Sequence, residues 1–156
     1  MISTFLALGL VAASINNISS TPALPVVEIA SGFATQSFTV TDGDTIRLDD
    51  GTRVRLNGFN APESRDPQCD REAILGNRAK ERLEELVATG RTNVIQVDCA
   101  CKPGTEGSDK CNHGRSCGIL QIDGRDVGNI LISEGLAVPF VCGQTRCPRT
   151  PRPWCR

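Results

Sequence analysis

Three Asp-Gly pairs, Asp42-Gly43, Asp50-Gly51 and Asp123-Gly124, each stand between short runs of β-prone residues. An Asp-Gly pair supports the backbone angles of a tight reversal, and between alternating apolar residues it is a strong hairpin signal. Phe38 and Val40 precede the first pair, and Ile46 and Leu48 lie between the first and second. After the second, Val54 and Leu56 alternate with Arg53, Arg55 and Asn57. Val94, Ile95 and Val97 form a further strand ending at Cys99, and Cys117 to Ile122 form another just before the third pair. Side chains alternate across a strand, so Arg55 is expected to point away from the face that Val54 and Leu56 bury.

One long segment follows another period. Behind Asp70, a candidate N-cap, the residues Ala73, Ile74, Ala79, Leu83, Leu86 and Val87 recur at helical spacing, and Gly90 is a suitable stop. Val127, Ile130, Leu131 and Ile132 suit a short helix ending at Gly135, and a Gly-, Lys- and Asp-rich loop runs from Lys102 to Gly114. Five short strands with one long and one short helix predict an α+β, mainly β fold. Its simplest form is a small, nearly closed barrel with helices packed on it. The 156 residues fit one domain with one core.

Eight cysteines, an even number, stand at 69, 99, 101, 111, 117, 142, 147 and 155. The apolar run Phe5 to Ala13 is too short to span a bilayer and reads as a signal-peptide core, with Val11-Ala12-Ala13 as a cleavage site. A buried N-terminal helix is the alternative, since no Lys or Arg precedes the run. Together these features point to disulfides formed in an oxidising compartment, with the protein secreted or periplasmic. Zinc suits the cysteines poorly, because there is one His and no CxxC pair. The expected organisation is a signal peptide over 1–13, a flexible lead-in over 14–36, a folded domain over 37–141 and a Cys-, Pro- and Arg-rich tail over 142–156. The tail should be irregular and stapled to the body, in a pairing that the spacing does not determine.

A net charge of −1 excludes a generally basic nucleic-acid coat, so contact with nucleic acid must rest on a local patch. The tail arginines Arg146, Arg149, Arg152 and Arg156 offer one, a solvated tail being the alternative. The chemistry concentrates elsewhere. Asp42 and Asp44 share a turn, Arg55 lies on the next strand but one, Glu63 follows Ala61-Pro62, and Arg115 follows Gly114. A carboxylate base that activates water and two guanidinium groups that hold charge growing on phosphorus suit phosphodiester hydrolysis. The plain alternatives are turn formation for Asp42 and Asp44, a surface loop for Glu63 and surface strand positions for the arginines. His113, with no evident partner, reads as a loop residue rather than a base.

Taken in order, Asp42-Gly43-Asp44-Thr45, Arg55, Ala61-Pro62-Glu63, Gly114-Arg115 and Gly135-Leu136-Ala137 resemble the staphylococcal nuclease, or thermonuclease, family, from about Phe38 to Val141. The resemblance implies a five-stranded OB-fold barrel with helices and cleavage of DNA and RNA. It implies that Arg55 and Arg115 match the catalytic arginines, Glu63 the catalytic glutamate and Asp44 a direct calcium ligand, with Asp42 a neighbouring acid. The chain departs from the family pattern in carrying Asn60 for a calcium-ligating Asp, Ala61 for a Thr, and His113 where a nucleotide-contacting Tyr is common. The tail replaces a C-terminal helix and resembles that of secreted rhizobial members.

Calcium sites owe affinity to carboxylate count. A site of Asp42, Asp44 and Asn60 is therefore expected to be weak, with no cofactor strictly required and Ca2+ as the alternative. The expected partners are DNA and RNA, for a monomer without stable membrane association after signal removal. The other function classes are an inactive nucleic-acid-binding OB-fold and a secreted interaction protein linked to exopolysaccharide (succinoglycan) synthesis.

Overall fold

The computed structural model describes residue 33 and residues 36–155. The expected signal peptide, most of the lead-in and Arg156 lie outside the described residues. Of the lead-in, Phe33 is buried in the core, so the body draws on residues ahead of position 37.

The first three strands, β1 (Phe38–Asp42), β2 (Thr45–Leu48) and β3 (Arg53–Leu56), form an antiparallel meander. Then come β4 (Gly58–Asn60), helix α1 (Asp70–Thr89) and β5 (Thr92–Val97). A 3-10 turn over Asn112–Gly114 leads into β6 (Ser116–Ile122), β7 (Arg125–Asp126), helix α2 (Val127–Ser133) and β8 (Val138–Phe140). The main sheet runs β1-β2-β3-β6-β5, with β7 on β6, and curls into a half-barrel of the OB type. Its β3–β6 pair is parallel, with Val54 opposite Ser116 and Arg55 opposite Cys117. β4 pairs with β8 as a separate two-stranded ribbon.

The Asp-Gly pairs make their turns for different reasons. Gly51 and Gly124 have positive φ, 89° and 77°, which a side chain disfavours. Gly43 is required by space: a Cβ there would lie 2.8 Å from the Ala61 Cβ and 2.9 Å from the Ala79 Cβ. Ile46, Leu48, Val54, Leu56, Phe59, Leu83, Leu120 and Leu131 fill the core at 0–1% exposure.

Helix α1 departs from its expected face. Ile74 is 61% exposed, and the inward row is Glu72, Gly76, Ala79 and Leu83, at i, i+4, i+7 and i+11. Hydropathy pointed to the isoleucine because a buried glutamate and a glycine carry no apolar signal. The N-cap is Cys69 rather than Asp70, and no side chain caps the helix. Cys69 is bonded to Cys155, so a covalent link fixes the entry of the helix, while Asp70 faces the dipole from the first turn.

The other disulfides join Cys99 to Cys117, Cys101 to Cys111 and Cys142 to Cys147. Among the described residues no cysteine is free, and no helix is long and apolar enough to cross a membrane.

Candidate active site

Asp44 arrives on the β1–β2 turn, and strand pairing brings Thr45 opposite Arg55. The Asp44 carbonyl accepts from the Leu56 N–H at 2.9 Å, so the turn is sewn to β3. Nη1 of Arg55 lies 2.9 Å from Oδ2 of Asp44, with both side chains almost buried. The same guanidinium donates to the Asp44, Leu56 and Phe59 carbonyls at 3.0–3.2 Å and to Oδ1 of Asn60 at 2.8 Å. The expected outward direction of Arg55 therefore does not mean solvent. Val54, Arg55 and Leu56 are all buried, because β4 and the Asp44 turn cover the second face of the strand.

The carboxylate of Asp44 is fully used. Oδ2 accepts from the Ala61 N–H at 3.0 Å as well as from Arg55, and Oδ1 accepts from the Thr45 hydroxyl at 3.0 Å. Burial raises the Asp44 carboxyl above its usual value; Arg55 and the Ala61 N–H pull against this, and Asp42 adds to it. Oδ1 of Asp42 accepts from the Gly43 N–H at 2.9 Å.

Glu63 follows β4 in a loop packed on α1. Gly76 allows the approach, since a Cβ there would lie 2.5 Å from the Glu63 carbonyl oxygen. The Glu63 side chain is half-buried and lines the pocket. Burial, then Asp42 and Asp44, push its carboxyl up, while Arg152 and Arg55 act in the opposite sense.

Arg115 stands just before β6, and the parallel β3–β6 register brings it to the same end of the sheet as Arg55. Its guanidinium donates to the carbonyl of Asn112 at 3.1 Å and to Oδ1 of Asn112 at 3.0 Å. Burial, then Arg55, lowers its pKa, yet an arginine keeps its charge at working pH. The aiming device is the run Asn112, His113, Gly114, with φ of 51°, 58° and 70°. Asn112 escaped the sequence reading; an Asn beside a His-Gly pair, tolerant of left-handed angles, was its one signal. His113 is exposed, and its carbonyl accepts from Arg53 at 3.1 Å.

Arg55, Glu63 and Arg115 thus line one open cavity of about 1010 Å³, with Asp42, Asp44 and Asn60 in the same wall. Arg47, Arg53 and Arg65 also line it, as does the Cys142–Cys147 loop. The basic rim comes mainly from β2, β3 and the Glu63 loop rather than from Arg146, Arg149 or Arg152 of the tail. Arg152 is turned inward, onto Glu72 at 3.0 Å.

The donor set does not fit calcium as arranged. A calcium ion needs six to eight oxygen ligands. Here the guanidinium of Arg55 already engages Oδ2 of Asp44 at 2.9 Å and Oδ1 of Asn60 at 2.8 Å. Asn60 also spends its amide N–H groups on the Ala61 carbonyl at 3.2 Å and the Pro151 carbonyl at 3.1 Å. Among the described residues, no three or more His, Cys, Asp or Glu side chains are grouped to hold a metal.

Residues 53–150, more than half of the chain, match the family model described as staphylococcal nuclease homologue. The chain belongs to this family, whose fold is the half-barrel seen here. No curated protein is significantly similar to it.

Proposed function

We propose that the protein is a secreted or periplasmic nuclease that hydrolyses phosphodiester bonds of DNA and RNA with little base specificity. The observation that carries this reading is the convergence of Arg55, Glu63 and Arg115 on one cavity in a chain of this family. Glu63 takes a proton from a water molecule, and the water oxygen attacks phosphorus as the bond to the leaving oxygen breaks. Burial and the neighbouring carboxylates favour the protonated form of Glu63, which moves this group toward the pH at which a base works best. Arg55 and Arg115 supply positive charge where phosphoryl charge grows. These groups address phosphate rather than base edges, hence the low specificity.

No metal enters this sequence of steps. Arg55 already engages the oxygens of Asp44 and Asn60, and we propose that activity persists without calcium. Disulfides at all eight cysteines support an oxidising compartment. The test is incubation of the purified, oxidised protein with single- and double-stranded DNA and with RNA, with and without chelator. Cleavage in both conditions supports the reading. Absence of cleavage under all conditions refutes the nuclease, and cleavage restored only by calcium refutes metal independence.

A further inference from the structure

Glu72 is 0% exposed, on the inward row of α1. A carboxylate removed from water needs hydrogen bonds and a counter-ion. It accepts from the Gln68 N–H at 2.6 Å, and the backbone of Glu63 also favours its charged form. Its counter-ion comes from the tail: Arg152 donates from Nε to Oε1 and from Nη2 to Oε2, each at 3.0 Å. Nη2 reaches the Asp66 carbonyl too, at 3.2 Å. One guanidinium therefore ties the helix, the loop after Glu63 and the tail together. Two further ties hold the tail in place, the Cys69–Cys155 disulfide and the bond from Asn60 to the Pro151 carbonyl.

The peptide segment at Glu63 is seated on the helix and followed by a tether. Its carbonyl lies against Gly76, one helical turn on from Glu72, and three residues later the Asp66 carbonyl is held by Arg152. The Glu63 side chain makes none of these bonds and faces the cavity. Without its counter-ion, the Glu72 carboxylate would be an unpaired buried charge, which a protein relieves by shifting or protonating the group. Either response loosens the backbone that aims Glu63.

We propose that Arg152 is a positioning residue for the candidate base Glu63, acting through the buried carboxylate of Glu72. The inference rests on the nuclease reading for the role of Glu63. Arg152 is also a nearby positive charge. The charged groups around Glu63 are Asp42 and Asp44 from the β1–β2 turn, Arg55 from β3, Arg115 ahead of β6, Glu72 from α1 and Arg152 from the tail. Loss of the Arg152 charge leaves the two aspartates less opposed, so Glu63 titrates at higher pH.

The test compares oxidised parent, Arg152→Gln and Arg152→Lys. It reads kcat, KM and the pH–rate profile on single-stranded DNA, and amide hydrogen exchange at Glu63 by NMR. For Arg152→Gln we expect kcat to fall about 10- to 100-fold, as misplacement of a reacting group does, with KM within about twofold of the parent. We expect the Glu63 N–H to exchange at least about tenfold faster and the acid limb of the profile to move up in pH. Arg152→Lys keeps the charge but not the fork, so its acid limb stays at the parental pH while its kcat and exchange fall between the other two. Parental kcat and exchange in Arg152→Gln overturn the inference, as does a loss matched by the fraction unfolded with the acid limb unmoved. Should the glutamine variant not fold, parental kcat and exchange in Arg152→Lys overturn it. A parent that cleaves neither DNA nor RNA refutes the proposed function instead, and exchange at Glu63 still decides whether Arg152 holds that segment.

Discussion

Nη2 of Arg55 donates to Oδ1 of Asn60 over 2.8 Å, while Nη1 of the same group lies 2.9 Å from Oδ2 of Asp44. Asn60 is thus a neutral acceptor for an arginine already paired with a carboxylate. It also reaches the tail, through Pro151.

Asn60→Asp places a second carboxylate on Arg55 and adds a hard anionic oxygen beside Asp44, the change that strengthens a calcium site. The expected outcome is tighter calcium binding and a cleavage rate that responds to calcium more than the parent's does. The variant also loses the bond to Pro151. Rate against calcium concentration after chelator treatment, for both proteins, checks this; identical flat curves would contradict it.

Glu63→Gln, Arg55→Lys and Arg115→Ala should each lower kcat by about two orders of magnitude or more, as removal of a general base or a well-placed charge stabiliser does. Lysine is the useful change at 55. Alanine would strand the buried Asp44 carboxylate, at a cost of about 3–5 kcal/mol in stability. Kinetics on variants with native circular dichroism make the comparison, and three parental rates would remove these residues from the chemistry.

Gly76→Ala opposes two effects. Alanine favours a helix interior over glycine by about 1 kcal/mol, but its Cβ would stand 2.5 Å from the Glu63 carbonyl oxygen and 2.8 Å from the Ser64 nitrogen. Backbone cannot yield cheaply, so the contact wins. The variant should melt lower than the parent and lose activity beyond the change in folded fraction. A higher melting temperature with parental kcat would show that the Glu63 loop is not seated on α1.

Stability should report the charge on Glu63. Its pKa in the fold is raised by burial, Asp42 and Asp44, so the native state holds a proton more tightly than the unfolded chain. This group therefore costs nothing well below the ordinary glutamate value of about 4.5. Its cost grows as pH rises through the interval up to the folded value, and is complete above it. Glu63→Gln should melt above the parent at neutral pH. The difference should vanish in acid. A constant difference from pH 3 to 8 would deny the raised pKa.

Much of the barrel was legible, because Asp-Gly pairs and alternating runs are local signals. The half-barrel sheet, both helices and the stapled tail correspond to readable patterns. So does the family, through short motifs in fixed order. What was not legible depends on contacts between distant residues. Glu72 carries no apolar signal, and its counter-ion, Arg152, stands 80 positions away. Asn60 looked like a depleted ligand, and its Arg55 and Pro151 partners are tertiary. Ile74 misled because periodicity counts apolar residues and cannot see that a glutamate and a glycine fill the inward row. The disulfide pairing follows from the fold, not from cysteine spacing.

The Cys101–Cys111 bond, set inside the Cys99–Cys117 bond, closes residues 102–110 into a cassette pinned at its base. Its hydrogen bonds run among its own residues and to Cys111: Thr105 to Lys102, Ser108 to Thr105, and the Cys111 N–H to Ser108. Arg115 is aimed by Asn112 from outside the inner ring, and Asp109 is a ring residue that stands against the aiming run, at Gly114. Residues 103–107 of the cassette, set apart from Asp109, are accordingly the part in which a foreign sequence, a different length or a label should leave the spacing of the two guanidinium groups unchanged.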